Sequence, residues 1–337
     1  MDQPGGHDHS DQDRCAAVGR GRRVIVGPVR YPELCARGRQ LLLDHGFTLV
    51  ENSSTVPWTD EQLHALLPGA DAAVAGVEVY DEAALEVADD LRIISRLGVG
   101  LDNVDLKVAR TRGVDVVNVP GGNAAAVAEL AVGFMLALAR QLPAMNTASR
   151  EGRWDRYVGV ELAGKSVALL GFGAIARLVA RRLSGFDVEL KVYDPFVDAD
   201  DVAAAGGRLV GLEEAVADVD VVSVHVPHTP STHHLVDDAL IARMRPGTLL
   251  VNTSRGGLVD QSALVRGLAS GRVGGAGLDV FEQEPVDASN PLFAFDTVIT
   301  SPHAAADTVE AYDRIGWATA QAVVDVFSGR TPANVAN

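Results

Sequence analysis

The chain has 337 residues, with 45 acidic and 29 basic side chains and a formal net charge of −16, which argues against a nucleic-acid-binding protein because phosphates require a basic face. The composition also excludes a bilayer-spanning helix, since no apolar run approaches the ~20 residues required, and a secretory signal, since the polar N-terminus has no apolar core. The two cysteines, Cys15 and Cys35, are too few for a disulfide framework. The sequence therefore predicts a cytoplasmic protein without a nucleic-acid or membrane partner. Its length predicts about two domains.

Residues 1–21 are rich in Asp, Gly and His without apolar periodicity, which predicts a disordered tail. His7 and His9 in this tail are interpreted as solvated side chains, and no metal site is predicted. From Val24 onward, short apolar runs alternate with amphipathic stretches. This first series predicts, in chain order, strand Val24–Val26, helix Glu33–Asp44, strand Phe47–Val50, helix Asp60–Leu67, strand Asp71–Ala75, helix Glu82–Ala88, strand Arg92–Ser95, helix Val104–Thr111 and strand Val114–Asn118.

A longer helix is predicted from Asn123 to Arg140, after which the alternation resumes. The second series predicts strand Lys165–Leu170, helix Ala174–Ser184, strands Val188–Tyr193 and Arg208–Val210, helix Leu212–Ala217, strand Asp220–Val224, helix Asp237–Met244, strand Thr248–Asn252, helix Gln261–Ser270, strands Val273–Asp279 and Thr297–Thr300, and helix Thr308–Phe327. Continuous apolar strands between helices are typical of parallel sheets covered on both faces. The pattern predicts an α/β protein with two doubly wound parallel-sheet domains and a cleft between them, although the alternation alone also permits a single (β/α)₈ barrel.

The segment Gly171–Ala176 (GFGAIA) follows a predicted strand and begins a predicted helix. Gly171 permits a tight turn, Gly173 lets the backbone approach a pyrophosphate, and the helix N-terminus offers N–H groups to phosphates. Asp194 ends the next strand, 21 residues after Gly173, close to the ~20 typical of a ribose-binding acid. Because a carboxylate repels a 2′-phosphate, the sequence predicts NAD as the cofactor. This phosphate loop in mid-chain argues against the barrel.

Arg255, Glu284 and His303 each follow a strand of the second series, at the edge where ligands bind to parallel sheets. Oxidation of a 2-hydroxy acid needs a base for the hydroxyl proton, and an imidazole titrates in a suitable range. A carboxylate such as Glu284 would orient that imidazole, and a guanidinium such as Arg255 can bind a substrate carboxylate. Taken singly, each residue could equally have a structural role. Arg255 could be a surface residue at a helix start, Glu284 part of an acidic turn, and His303 a buried polar residue.

From about Val24 to Asn337 the chain resembles the D-isomer-specific 2-hydroxyacid dehydrogenases, and within them the D-3-phosphoglycerate dehydrogenase-like members. The resemblance rests on SRLGVGLDNVD, NVPGGNAAAVAEL, GFGAIA, NTSRGGLVD, GLDVFEQEP and SPHAA, in the family's order. It implies an NAD-dependent oxidoreductase acting on CH–OH donors. It also implies a flavodoxin-like substrate domain of residues 22–118 plus 304–337, a Rossmann NAD domain of residues 119–303, and a homodimer.

The resemblance also implies roles for matching positions. His303 would be the acid/base, with Glu284 as its partner. The implied contacts to a small anionic substrate are the backbone N–H groups near Val99 and Gly100 and the Arg255 guanidinium. Arg96 is an alternative cation that the resemblance does not supply, and it could equally form a structural salt bridge at the end of its strand. The expected NAD contacts are Gly171, Phe172, Gly173, Ala174, Ile175, Asp194, Thr253 and, on the nicotinamide carboxamide, Asp279.

Phosphoglycerate enzymes of the family carry an Arg after the third strand that helps hold the phosphate, whereas residues 75–82 (AGVEVYDE) contain acids and no Arg. The sequence therefore leaves the substrate side chain open, and a small phosphonate or another oxyanion is an alternative substrate. An NAD-sensing corepressor that uses this fold for protein recognition is an alternative of a different class. The segment Glu151–Leu162, with Trp154 and Tyr157, is the predicted dimer interface, unless Trp154 packs within its own chain.

Overall fold

Twelve strands form two separate sheets in residues 18–337, the part of the chain that the computed structural model describes, and every strand pair within these sheets is parallel. One compact unit, here called the first unit, comprises Met1–Asn123 and Asp307–Asn337, and the second unit comprises Ala124–Ala306. The predicted division after residues 118 and 303 lies a few residues before these bounds. Two separate open sheets exclude the barrel.

The first unit has a five-stranded sheet in the order β2–β1–β3–β4–β5, which is the flavodoxin-like order. Its strands are β1 (Arg23–Val26), β2 (Thr48–Glu51), β3 (Ala72–Ala75), β4 (Ile93–Arg96) and β5 (Asp115–Val117). Its helices are α1 (Tyr31–Leu34), α2 (Ala36–Asp44), α3 (Asp60–Leu66), α4 (Glu82–Glu86), α5 (Leu106–Thr111) and, from the second chain segment, α13 (Val309–Phe327).

The C-terminal helix α13 completes the core of the first unit. A Cβ atom on Gly38 of α2 would lie 2.1 Å from the carbonyl oxygen of Gly316 in α13, so the two helices are in backbone contact there. Beyond α13, Ala336 N–H donates to the Val116 carbonyl (2.8 Å), and the Asn337 side chain donates to the Val114 carbonyl (2.7 Å). The chain therefore returns to the edge strand β5 as well as to α2.

The second unit has a seven-stranded sheet in the order β12–β11–β10–β9–β6–β7–β8, with a Rossmann-type reversal at β6 and β9. Its strands are β6 (Ser166–Leu170), β7 (Glu189–Tyr193), β8 (Gly207–Leu209), β9 (Val221–Val224), β10 (Thr248–Asn252), β11 (Val273–Leu278) and β12 (Val298–Thr300). Its helices are α6 (Ala124–Ala139), α7 (Leu142–Arg150), α8 (Ala174–Leu183), α9 (Ala199–Ala204), α10 (Leu212–Val216), α11 (Asp238–Arg243) and α12 (Gln261–Ala269). Short 3₁₀ turns cover Ser184–Phe186, Gly256–Leu258 and Pro291–Ala294.

The predicted α/β class is confirmed, and each predicted strand has a counterpart, but three details differ. The predicted helix Glu33–Asp44 is two helices, and α7 and α9 were not predicted. The tail predicted over residues 1–21 is wrong for residues 18–21, which form a turn because Gly19 N–H donates to the His45 carbonyl (2.7 Å). His7, His9 and Cys15 lie outside the described residues.

Helix α6 is the most apolar helix of the second unit, and most of its side chains are buried within that unit. Among the helices described, none alone combines the length and hydropathy that a membrane crossing requires. Helices α6 and α7 reach that length only together, and their axes differ by 64° at the break between them.

Candidate active site

The glycine loop of the second unit connects β6 to α8 in a conformation that only glycine adopts readily. Gly171 has φ +98°, in the left-handed region. A Cβ atom there would lie 2.8 Å from the carbonyl carbon and oxygen of His225, at the end of the neighbouring strand β9. The turn therefore depends on glycine both for its backbone angle and for the close approach of the two strand ends.

Gly173 lies at the N-cap of α8, and the space in front of this helix is open. Within the described part of the chain, a Cβ atom on Gly173 would meet no heavy atom within 4 Å, and no side chain caps the helix. The first N–H groups of a helix have no intrahelical partner, and the helix dipole favours an anion there. The loop is therefore suited to an anion, and the phosphate contact predicted from the sequence stays a prediction.

Asp194 directly follows β7, next to the glycine loop, and its carboxylate accepts hydrogen bonds from the surrounding backbone. One oxygen accepts from Phe172 N–H and the other from Phe196 N–H, each at 2.8 Å. An ionised carboxylate has about four lone-pair sites, so it can still accept hydrogen bonds from two hydroxyl groups. Its position fits the ribose contact that the spacing predicts.

His303 and Glu284 form a hydrogen-bonded pair at the ends of β12 and β11. His303 Nδ1 lies 2.7 Å from Glu284 Oε2, while Glu284 Oε1 accepts from Phe281 N–H (2.9 Å). Because an ionised carboxylate only accepts, Nδ1 carries the proton and Nε2 keeps its lone pair in the neutral imidazole. The imidazole is half-exposed, so Nε2 can reach a substrate.

Asp279 holds the loop that carries His303. Its buried carboxylate accepts from the Ser301 hydroxyl, from Ala304 N–H (2.8 Å) and from Ala305 N–H (3.0 Å). Its carbonyl accepts from His303 N–H (2.8 Å), and His303 has φ +52°, which is uncommon for a residue with a side chain. Asp279 thus holds the backbone of the loop that carries the His303 side chain. The sequence analysis did not predict this role.

Arg255 follows β10, whose neighbour β11 leads into the loop of Glu284. Its Nη1 donates to the Ser254 carbonyl (2.8 Å), and the Asn252 side chain donates to the Arg255 carbonyl (2.9 Å). A Cβ atom on Gly256 would lie 1.8 Å from the Phe281 carbonyl oxygen, so the Arg255 loop packs directly on the loop that ends in Glu284. These bonds fix the backbone from which the guanidinium extends.

Two buried polar side-chain atoms directly after β9 and β10 have no hydrogen-bond partner among residues 18–337. The Thr253 hydroxyl is one, which fits the cofactor contact predicted for it. The other is Nδ1 of His225, a residue the sequence analysis did not identify, whose Nε2 lies 2.9 Å from the Ser223 hydroxyl. Burial lowers the pKa of His225 to about 4, so this imidazole is neutral at physiological pH. The only available signal was its place directly after β9.

In the first unit, the predicted anion-binding residues follow β4. Asn118 Nδ2 donates to the Val99 carbonyl (2.7 Å), and Val119 N–H donates to the Gly98 carbonyl (2.9 Å). These two bonds hold the loop of Val99 and Gly100, whose own N–H groups hydrogen-bond to no other described residue. Arg96 is the last residue of β4, and its Nη1 donates to the Leu97 carbonyl (2.9 Å).

Comparison with known proteins relates this arrangement to a dehydrogenase family. The model of the "D-isomer specific 2-hydroxyacid dehydrogenase, NAD binding domain" matches residues 132–305. The D-3-phosphoglycerate dehydrogenase of Mycobacterium tuberculosis is 41% identical over 289 residues, covering 84% of this chain and 54% of the relative. That of Archaeoglobus fulgidus is 38% identical over 280 residues, covering 82% and 53%. The chain thus spans about half the length of the curated relatives it matches.

Solved structures show the same similarity at the level of the fold. The pyruvate reductase of Chlamydomonas reinhardtii has a TM-score of 0.85 and 32% identity, with coverage of 95% of this chain and 100% of that one. The apo-structure of D-lactate dehydrogenase from Escherichia coli has a TM-score of 0.83 and 29% identity, with coverage of 93% and 99%.

Proposed function

Because the chain belongs to the D-isomer-specific 2-hydroxyacid dehydrogenase family, we propose that it is an NAD-dependent oxidoreductase that interconverts a small 2-hydroxy acid and its 2-oxo acid. The hydrogen bond of 2.7 Å between His303 and Glu284 is the observation that carries this proposal. It orients an imidazole with a lone pair on Nε2, which is what deprotonation of a hydroxyl group requires.

In the oxidation direction, Nε2 of His303 accepts the proton of the substrate hydroxyl while a hydride leaves the same carbon. Bound NAD would supply the hydride acceptor for the oxidation and, in its reduced form, the hydride donor for the reverse reaction. Glu284 stabilises the imidazolium that forms, because its negative charge faces Nδ1. In reduction, the imidazolium donates its proton to the carbonyl oxygen of the oxo acid.

The second unit also supplies groups suited to holding the cofactor. The open N-terminus of α8 suits the pyrophosphate, the Asp194 carboxylate suits the ribose hydroxyls, and the unpartnered Thr253 hydroxyl supplies a further polar contact. Asp279 has one carboxylate oxygen that accepts a single bond, and we assign the nicotinamide carboxamide to it.

Two sets of donors suit the anionic substrate. The Arg255 guanidinium can bind a carboxylate with two parallel hydrogen bonds. In the first unit, the N–H groups of Val99 and Gly100 suit a carboxylate as well, with Arg96 as the nearby cation.

The proposal is tested by following NADH formation or consumption with a panel of 2-hydroxy acids, 2-oxo acids and small phosphonates. We expect turnover with at least one 2-oxo acid. Binding of NADH without turnover on any member of the panel would favour the corepressor-like alternative and overturn the enzymatic proposal.

Asp194 should decide the preference for NAD over NADP. We expect the wild-type ratio of kcat/KM for NADH over NADPH to be large, because a carboxylate repels the 2′-phosphate, and we expect Asp194→Asn to lower that ratio at least about tenfold, about 1.4 kcal/mol. The amide oxygen of Asn can still accept one of the two backbone N–H groups. Equal wild-type efficiency with NADPH would contradict the assignment, and Asp198→Asn, four residues along, is the control.

We propose that the protein is a homodimer through the segment Glu151–Leu162. Trp154 and Val158 are each 88% exposed, so the alternative in which Trp154 packs within its own chain is wrong. Large exposed apolar side chains on an irregular segment are typical of an interface. We expect light scattering to give the mass of a dimer for the wild type and of a monomer for Trp154→Arg/Val158→Arg. Val56→Arg, an exposed apolar position of the first unit, should remain dimeric, and a monomeric wild type at micromolar concentration would refute the proposal.

A further inference from the structure

Glu78 is a buried carboxylate in the loop that follows β3 of the first unit. The residue is 4% exposed. Its Oε2 accepts from Gly76 N–H (2.8 Å), whereas its Oε1 is buried and has no hydrogen-bond partner anywhere in the described chain. Burying a carboxylate oxygen without a donor costs several kcal/mol unless a partner arrives. This oxygen is therefore a strong candidate for contact with a ligand.

Two glycines form the cradle that accommodates this carboxylate. A Cβ atom on Gly27, which directly follows β1, would lie 2.5 Å from the carboxyl carbon and from both oxygens of Glu78. A Cβ atom on Gly76, directly after β3, would lie 2.9 Å from Oε2. Any other residue at these two positions would displace the carboxylate, so its position is built into the ends of two adjacent strands.

The same carboxylate lies on the loop next to the proposed anion-binding residues. Strands β3 and β4 are neighbours, and Leu97 N–H donates to the Ala75 carbonyl (2.9 Å). Asn103 then joins the two loops, because its Nδ2 donates to the Glu78 carbonyl (2.6 Å) and to that of Gly76 (3.2 Å). Glu78 and the loop of Val99 and Gly100 therefore share one edge of the sheet and are held in fixed register.

Among residues 18–337, no basic side chain forms a direct ion pair with Glu78. Tyr80 is fully buried with an unpartnered hydroxyl. Burial raises the pKa of Tyr80, the charge of Glu78 raises it further, and Arg96 lowers it. These three side chains are thus electrostatic neighbours. A second anionic group brought here would face a buried carboxylate, whereas a hydroxyl or ammonium group would give Oε1 the hydrogen bond it lacks.

We propose that Glu78 determines the substrate class: it selects acids whose far end carries a hydrogen-bond donor, a hydroxyl or ammonium group, and rejects those that end in a phosphate or second carboxylate. This inference rests on the proposed dehydrogenase activity, since it concerns the part of the substrate beyond the reacting carbon.

The wild-type enzyme tests the inference with three 2-oxo acids that differ only at the third carbon: pyruvate, hydroxypyruvate and 3-phosphohydroxypyruvate. We expect kcat/KM with NADH to be highest for hydroxypyruvate, by about tenfold or more over each of the others. A preference for the phosphorylated compound, or equal efficiency for all three, overturns the inference. Because this comparison uses the wild type, it stands even if a variant fails to fold. Absence of turnover with every 2-oxo acid would instead show failure of the proposed function.

Glu78→Gln then isolates the charge, because the amide keeps the size of the side chain and can still accept from Gly76 N–H. We expect the ratio of kcat/KM for the phosphorylated compound over hydroxypyruvate to rise about tenfold, with NADH affinity unchanged. Glu82→Gln, an exposed acid four residues along, is the matched control and should leave the ratio unaltered. An unchanged ratio in a folded Glu78→Gln variant, or an equal rise in the control, overturns the inference.

Discussion

Replacement of His303 by Ala should lower kcat for 2-oxo acid reduction by about 10²–10⁴-fold, the usual contribution of a positioned acid/base. The affinity for NADH should change little, because the glycine loop and Asp194 do not contact His303 through any bond described above. Stopped-flow turnover and fluorescence titration of NADH measure the two effects separately. A variant that retains full turnover would show that another group transfers the proton.

Glu284→Gln should be nearly as damaging for a different reason. The oxygen that accepts from Phe281 N–H fixes the orientation of the amide, so its NH₂ group would face His303 Nδ1. Nδ1 must then accept, the proton moves to Nε2, and the neutral imidazole loses the lone pair that hydroxyl oxidation needs. The lost negative charge also disfavours the imidazolium, so the pH profile of reduction should shift to lower pH.

Glu282→Gln is the matched control for this change. This replacement neutralises the carboxylate of Glu282, two residues before Glu284. Its Oε1 lies 2.9 Å from Nε2 of His234, so Glu282 pairs with a different imidazole. We expect its pH profile to match that of the wild type. A wild-type profile and full activity in Glu284→Gln would mean that Glu284 is only a turn residue, the structural alternative that its sequence position left open.

Gly173→Ala should lower the affinity for NADH by at least about tenfold, about 1.4 kcal/mol. The backbone at Gly173 has φ −75°, which Ala adopts without strain, and its Cβ atom would contact nothing in the protein. The free energy of unfolding should therefore fall by no more than about 1 kcal/mol relative to the wild type, the usual effect of Ala at an N-cap. The added methyl group would instead occupy the space in which a pyrophosphate approaches the backbone.

Gly185→Ala is the control in the 3₁₀ turn that follows the same helix, where a Cβ atom also meets no described atom within 4 Å. Isothermal titration of NADH and thermal unfolding of the free protein distinguish binding from stability. If Gly173→Ala binds NADH as tightly as Gly185→Ala does, the phosphates do not lie at the N-terminus of α8.

The strands were predictable because their signal is local. In β1, β3, β6 and β9 nearly every side chain is buried, and each strand is therefore a short run of mostly apolar residues in the sequence. Helices α7 and α9 give weaker signals. Helix α7 carries Pro143 in its first turn and polar residues in its second half, and α9 has only six residues, two of them acidic. The split of the predicted first helix reflects Cys35, whose backbone departs from helical angles.

The candidate site was predictable to the level of residue identity but not of arrangement. Sequence motifs singled out His303 and Glu284, and the structure brings them within 2.7 Å, while their catalytic roles stay predictions. Nothing in the sequence shows that the Asp279 carboxylate binds the His303 loop, or that Gly256 touches the Phe281 carbonyl. The partnerless oxygen of Glu78 also depends on glycines about 50 positions earlier and two positions before it. Such contacts are set by tertiary packing and leave no periodic pattern.

The interrupted path of the first unit has a consequence for how the chain folds during synthesis. All strands of the second unit are available once residue 306 has left the ribosome, whereas the first unit must wait for α13, which packs on a helix more than 250 residues upstream. Domains generally fold as units in the order in which they are completed, and contacts of high sequence separation form slowly. The nascent N-terminal sheet therefore remains without its α13 cover while the entire second unit is translated. The first unit therefore matures after the second unit, although its sheet is translated earlier.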